Sequence, residues 1–323
     1  MPARDSAVMR IALVTEEFLP SGAPAARVTR EIVTRLVDRG HDVAVFAAGR
    51  GQSTFRGARI FWASRMTSVG SVREAMALSR PDVCHLVEPG RLGLKAAEAA
   101  ERIGVPTLVL DPRTWTPGVD LDDHHPGLRD QHLHDRWSRA HNPDGGQLVV
   151  GHVGGPLEKK KVLNRLATIA HLPGVRLVAL GDGPGAKMLR AAGAKVIPGA
   201  TGLERARCIA TFDVLVQPRK REVYAPAVHE ALASGVPVVA YDGGSAAEVV
   251  VHQHNGLLVG ADRGSKTFAR AVALLGASPD LRFTLADHAR ASVAHRTWDD
   301  AVAELVDVHY AAAARGRRSA AIS

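Results

Sequence analysis

The sequence predicts an α/β protein of two doubly wound lobes. Two observations carry that expectation. Short apolar, strand-like runs alternate with amphipathic helical runs, and the alternation stops once, at residues 112–147, before it resumes. A length of 323 residues is enough for two domains of ordinary size.

Arg10 to Thr15 (RIALVT) reads as a buried parallel strand, with the structured chain starting at Met9. Residues 25–39 put Val28, Ile32, Val33 and Leu36 on one helical face, and Gly40 supplies the stop. Strands follow at 42–47, 58–63, 82–87 and 107–111, with helices at 72–78 and 91–104. Residues 112–147 are dense in Pro, Gly, Asp and His and read as a linker with a short helix at 128–139. A second series begins with the strand at 148–154. It continues through helix 159–171, strand 175–181, helix 185–192, strand 194–199, helix 202–210, strand 213–218 and helix 225–234. Strands at 237–241 and 256–260 complete the sheet, residues 264–314 look helical, and the last residues read as a frayed tail. The expected domains are therefore 9–119 and 148–314, joined by a linker at 120–147 and followed by a tail at 315–323. A cleft between the lobes is expected near residues 120–150.

The net charge of +8 permits attraction to nucleic acid, anionic membrane surfaces or phosphorylated small molecules. Only 4% of residues are aromatic, which argues against a base-stacking nucleic-acid surface. No apolar run approaches the roughly 20 residues needed to cross a bilayer, and MPARDSAVMRIALV lacks a signal-peptide core. A cytoplasmic protein is expected, peripheral at the inner membrane face. Cys84 and Cys208 lie in apolar settings and read as buried free thiols.

The chemistry concentrates in EVYAPAVHEALASGVPVVAYDGG, residues 222–244. Pro226 suits the first turn of a helix. That leaves Glu222 in the entering loop and Glu230 a turn inside, with the amides of Tyr224 and Ala225 at the positive end of the helix dipole. An anion is favoured between the two acids, which would themselves accept hydrogen bonds from hydroxyls of the same ligand. Gly154-Gly155, followed by Glu158 and Lys159 to Lys161, makes a second phosphate seat at a strand's carboxyl end; an exposed helix start is the alternative for those lysines, and their place after the glycines favours phosphate. Gly181 in LGDGPGAKML belongs to a similar turn, and Arg219-Lys220-Arg221 adds positive charge beside Glu222.

VVGHVGGPLEKKKV, VRLVALGDGPGAKML, DVLVQPRKREVYAPAVHEALASGVPVVAYDGG and NGLLVG together resemble the donor-binding lobe of glycosyltransferase family 4. MRIALVTEEFLP, RLVDRGHDVAVFA and PDVCHLVEPGRLGLKAAEAAERIGVPTLV resemble its acceptor lobe. The resemblance implies the GT-B architecture of two Rossmann-like lobes. Within the family, ASRM, GVDLDDHHPGLRDQHL and GDGP are most similar to actinobacterial α-mannosyltransferases that use GDP-mannose. It further implies that Glu222 faces the transferred sugar and its phosphate, that Glu230 holds the ribose, and that Lys160 neutralises the donor diphosphate. Glu222 and Lys160 are thus the implied catalytic pair. Glu230, Tyr224, Ala225, Gly154, Gly155, Gly181 and Arg219 are the implied donor-binding set, and Gly22, Asp111 and Arg113 mark the acceptor side. No metal or other cofactor is implied, the nucleotide-sugar being a substrate.

The pattern is broken in three places. Gly155 stands where the family usually has an arginine. The loop after the first strand keeps only Gly22. LVLDPRTWTPGVDL runs straight through where a βαβ unit or more is usual, so about five strands rather than seven are expected in the first lobe. A sheet edge left exposed by that loss would need covering, for instance in a homodimer. Two readings therefore stand: a retaining hexosyltransferase acting from a nucleotide-sugar, GDP-mannose favoured, onto a lipid or glycan acceptor; or an impaired relative that binds nucleotide-sugar as a partner subunit. A sugar-nucleotide epimerase is a more distant third. Asp120-Leu121-Asp122 resembles a metal motif without a supporting strand, and His124, His125, His132, His134 and His141 fit no standard zinc spacing. His85 and His152 lie on apolar strands and read as packed.

Overall fold

A computed structural model of the chain describes residues 8–88, 90–140, 145–155, 157–220, 222–260 and 264–320. It contains two six-stranded sheets in two units, one comprising Met1–Trp115 with Trp298–Ser323 and the other Thr116–Thr297.

In the first unit the elements are β1 (Arg10–Thr15), α1 (Pro24–Asp38), β2 (Asp42–Ala48), β3 (Thr54–Phe55), β4 (Ala58–Ala63), α2 (Val69–Ser79), β5 (Val83–Leu86), α3 (Arg91–Arg102) and β6 (Thr107–Val109). The sheet order is β3-β4-β2-β1-β5-β6, parallel throughout except for the β3–β4 pair. α1 begins with Pro24 at its first turn and buries Val28, Ile32, Val33 and Leu36, the face its sequence period predicts. The sheet has six strands rather than about five. The extra one is a two-residue hairpin arm whose turn, Arg56-Gly57, has φ of 52° and 94°. Two consecutive left-handed residues are what a tight hairpin turn requires. α2 starts three residues earlier than its apolar period suggests, because the Ser68 hydroxyl accepts the Ser71 amide and caps it. β6 is short, and Val109 is 53% exposed on it.

In the second unit, a 3₁₀ turn at Pro126–Leu128 precedes α4 (Gln131–Ser138). Then follow β7 (Leu148–Val153), α5 (Lys160–Ala170), β8 (Val175–Leu180), α6 (Ala186–Ala191), β9 (Lys195–Ile197), α7 (Gly202–Ala210), β10 (Val214–Gln217), α8 (Pro226–Ala233), β11 (Val238–Asp242), β12 (Gly256–Gly260), α9 (Ser265–Ala277) and α10 (Pro279–Val293). The strand order β12-β11-β10-β7-β8-β9 is parallel throughout. Residues alternate along each strand between two cores, Leu177 and Ala179 facing the α5 side and Val178 and Leu180 the α7–α8 side. All eight residues of α8 are buried, which accounts for the small, apolar composition after Glu222.

The chain's last helices, α11 (Trp298–Glu304), a π-helical segment (Leu305–Tyr310) and α12 (Ala311–Ala320), belong to the first unit. This differs from a second lobe running to residue 314. Trp298, Ala301, Leu305 and Tyr310 are buried, Trp115 Nε1 donates to the Ala301 carbonyl at 2.9 Å, and the Tyr310 hydroxyl lies 2.8 Å from His85 Nδ1. An amphipathic helical run reveals that it has an apolar face, not which sheet buries it. α12 continues to Ala320, past the expected start of the tail.

Candidate active site

The carboxyl ends of β7, β8 and β10 meet in the second unit. Gly154 and Gly155 follow β7, and Gly154 and Leu157 dock on the loop 181–185. The Leu157 amide donates to the Asp182 carbonyl at 2.7 Å, and the Gly185 amide donates to the Leu157 carbonyl at 2.7 Å. A Cβ at Gly181, whose φ is +152°, would lie 2.0 Å from the Gly154 carbonyl oxygen. The glycine there is thus required by the approach of two backbones, and the two glycine turns form one surface. Lys160, the first residue of α5, is exposed, as are Glu158, Lys159 and Lys161.

Arg219, just beyond β10, leans across this surface. Its Nη2 donates to the Gly155 carbonyl at 3.2 Å, and its Nε lies 3.6 Å from Glu222 Oε1. The two side chains are 14% and 11% exposed. Burial pushes the Glu222 carboxyl up to about 7 against the opposing pull of Arg219 and Lys159. Its Oε2 is buried with no hydrogen-bond partner among the described residues. The Ser245 amide donates to the Glu222 carbonyl at 3.0 Å and fixes the loop. Tyr224 and Ala225, both buried, lead into α8, with Ala225 at its N-cap and Pro226 in its first turn. No side chain caps that end. The orphan amides of the first turn therefore lie beside the arginine and the buried acid, an arrangement suited to an anion.

Glu230, one turn into α8, forms a buried ion pair with Arg205 of α7. Arg205 was missed in the sequence. The signal was there: the buried face of α7 reads Arg205, Ala206, Cys208, Ile209, Ala210, and a cation on an apolar stripe needs an acid opposite. Arg165 was missed too. It lies on α5 and donates to the Pro218 carbonyl at 2.7 Å, while it and Lys220 stack on Tyr241 at 4.9 and 5.1 Å. Together with Arg219 they make the loop after β10 cationic. Arg221 falls outside the described residues.

In the first unit, Gly22 is exposed just before α1, with nothing within 4 Å of a Cβ built on it. Asp111 and Arg113 follow β6 and pair with each other at 3.0 Å in an exposed turn. Hydrogen bonds from Arg113 lower the Asp111 carboxyl. Gly22 and the Asp111–Arg113 pair thus lie on the loops that leave the carboxyl ends of β1 and β6. The carboxyl ends of β1 and β5 also gather acids that sequence reasoning passed over. Glu88 Oε1 accepts the Glu16 amide at 3.1 Å, and Glu16 Oε1 accepts the Leu92 amide at the start of α3 at 2.5 Å. Burial raises the Glu88 carboxyl.

The remaining titratable motifs are structural. Asp120 Oδ1 accepts the amides of Asp122 and Asp123, both at 3.0 Å, in a turn. His134 faces Asp213 at 3.0 Å, and His141 lies outside the described residues. Among the described residues no group of three or more His, Cys, Asp or Glu is placed to hold a metal ion. His85 and His152 are buried, and burial lowers them to about 3 and about 4. Cys84 and Cys208 are buried and free.

Two doubly wound α/β units, the second with glycine turns, cations and a helix N-terminus at the carboxyl ends of its strands, have the GT-B fold. Residues 147–277 match the model of the family described as glycosyl transferases group 1. The GDP-mannose-dependent alpha-mannosyltransferase of Mycolicibacterium smegmatis is 32% identical over 386 residues, covering 96% of this chain and 99% of that one. The protein of the same description from Mycobacterium tuberculosis is 30% identical over 382 residues, covering 96% and 98%. A glycosyltransferase structure from Rickettsia africae superposes with a TM-score of 0.72 at 12% identity, covering 95% of this chain and 98% of that one. The UDP-glucose complex of Anabaena HepE gives 0.71 at 16% identity, covering 94% and 100%. The chain belongs to the group 1 glycosyltransferases. Both mannosyltransferase alignments extend well beyond 323 residues, so these relatives carry segments that this chain lacks. No helix among the described residues is long and apolar enough to cross a membrane.

Proposed function

We propose that the protein is a retaining mannosyltransferase that takes its sugar from GDP-mannose and delivers it to a lipid or glycan acceptor. The observation that carries this reading is the buried Glu222 between Arg219 and the uncapped N-terminus of α8. In the transfer, the bond from the sugar's anomeric carbon to the phosphate oxygen breaks, the acceptor hydroxyl oxygen bonds that carbon from the same face, and the hydroxyl proton passes to the departing phosphate oxygen. Positive charge develops on the sugar and negative charge on the leaving diphosphate. Arg219, Lys159, Lys160 and the amides of Tyr224 and Ala225 meet the diphosphate, and Glu222 in its ionised form stabilises the sugar. No metal or other cofactor is assigned a step. Glu230, held in place by Arg205, accepts hydrogen bonds from the ribose hydroxyls.

The 30–32% identity to two GDP-mannose-dependent relatives supports the donor. The net charge of +8 supports peripheral work at an anionic membrane face, and the half-open β6 edge supports a homodimer that covers it. Calorimetric titration of GDP, UDP, GDP-mannose and UDP-glucose tests the donor. GDP-mannose binding at least ten times tighter than UDP-glucose is expected, and the absence of nucleotide binding at millimolar concentration overturns the proposal. A nucleotide-sugar-binding partner without turnover is the second reading, favoured by Gly155. Tight donor binding with no donor hydrolysis or transfer, unchanged by Glu222→Ala, would establish it instead.

A further inference from the structure

Away from that site the second unit has a cavity of about 950 Å³ among α4, α7 and β9, and no residue assigned above to the donor lines it. Its most unusual lining group is Arg176. The alternation along β8 places this residue on the same face as Val178 and Leu180, under the helices rather than in solvent. It is 9% exposed. Nη1 donates to the Gly193 carbonyl at 2.6 Å, while Nε is buried with no hydrogen-bond partner among the described residues. Burial lowers its pKa, and no carboxylate pairs with it among the described residues. Buried cations are ordinarily paired.

The walls repeat the excess of positive charge. Arg136 of α4 and Lys195 of β9 line the cavity, both exposed and neither in an ion pair among the described residues. Of the two lining acids, Asp130 is already engaged, accepting the Leu133 amide at 3.0 Å and pairing with Arg207 at 2.5 Å. Glu204 is the other, exposed in the first turn of α7. Between the cations the wall is apolar: Leu133, Trp137 and Ile197, with Leu203 64% exposed at the rim. A cavity of this size, with an apolar wall set between charged groups, is in the range of small-molecule sites.

We infer that the α4–α7 cavity binds an anionic amphiphile. Its phosphate or carboxylate meets Arg176, Arg136 and Lys195, and its apolar body lies along Trp137, Ile197 and Leu203. A free amphiphile and a lipid headgroup at a bilayer surface share this chemistry. The inference is independent of the donor reading.

Dodecyl phosphate, titrated below its micellar concentration into the full chain and followed by calorimetry and amide chemical shifts, tests it. Binding is expected to shift residues of α4, β9 and α7, with inorganic phosphate and dodecyl maltoside each at least ten times weaker. The double variant Arg136→Glu, Lys195→Glu changes two exposed positions and should lose at least tenfold. Arg176→Gln should lose more, and if it does not fold because the Gly193 bond is gone, the double variant decides. Co-sedimentation with phosphatidylglycerol vesicles, abolished by the double variant, assigns the source to a bilayer; retention of dodecyl phosphate alone assigns it to a soluble amphiphile. No binding of either at millimolar concentration overturns the inference, as does equal binding of dodecyl maltoside or no loss in the double variant.

Discussion

Glu222 and Glu230 lie on one segment and are buried to nearly the same degree, yet their surroundings differ. Glu230, inside α8, is paired with Arg205 from the next helix. Glu222, in the loop before α8, has its cation only at 3.6 Å, leaves one oxygen buried without a partner among the described residues, and is pushed up to about 7. An acid inside a helix can be matched by a neighbouring helix during folding. An acid in a ligand loop is left short of partners, and the shortfall is what a ligand can supply.

Removing the counter-charge from each acid should sharpen that contrast. Arg205→Ala strands the Glu230 charge and is expected to cost about 3–5 kcal/mol of stability, read by denaturant unfolding without ligand. Adding Glu230→Ala should recover part of it. A cost below about 1 kcal/mol would remove the distinction between the two acids.

The pH dependence comes next in size. Folded Glu222 holds its proton to about 7, whereas the ordinary value is 4.5. The folded state therefore binds more protons between those values, and its stability falls as pH rises through that window. The loss approaches about 3 kcal/mol by pH 8. Melting temperatures of wild type and Glu222→Gln without ligand, measured from pH 5 to 8, should diverge, with wild type losing ground toward pH 8. Parallel curves would mean that Glu222 titrates normally.

The smallest effect concerns Arg219, whose guanidinium reaches the carbonyl of Gly155. Arg219→Ala should weaken GDP binding by roughly 10–100-fold, the scale of one or two charge-assisted hydrogen bonds, while guanosine binding stays unchanged. Gly155→Arg in that background should restore part of the loss. Equal losses for GDP and guanosine would show that Arg219 acts on the fold rather than on the phosphates.

The two-sheet fold was legible because parallel strands buried on both faces write themselves as apolar runs such as VRLVAL and DVLVQP. The donor end was legible for a related reason: glycines, lysines and α8 follow directly on those strands. What could not be read were pairings across sequence distance. Nothing local joins Arg205 to Glu230, or Glu16 to the amide of Leu92. Nor does an amphipathic tail reveal that Tyr310 will meet His85. Gly22, Asp111 and Arg113 stood out as sequence landmarks; Glu16 and Glu88, at the carboxyl ends of the same parallel strands, did not, because their partners are backbone amides elsewhere in the chain.

The docked glycine turns after β7 and β8 carry one more consequence. Because Leu157 and the loop 181–185 hold each other by backbone hydrogen bonds, that junction is made when the unit folds and not when a ligand arrives. Fixing a residue's backbone costs roughly 1–2 kcal/mol, so that entropy is already lost in the empty protein. A ligand landing there meets a floor whose backbone contacts are already made, with Arg219 anchored to it through the Gly155 carbonyl.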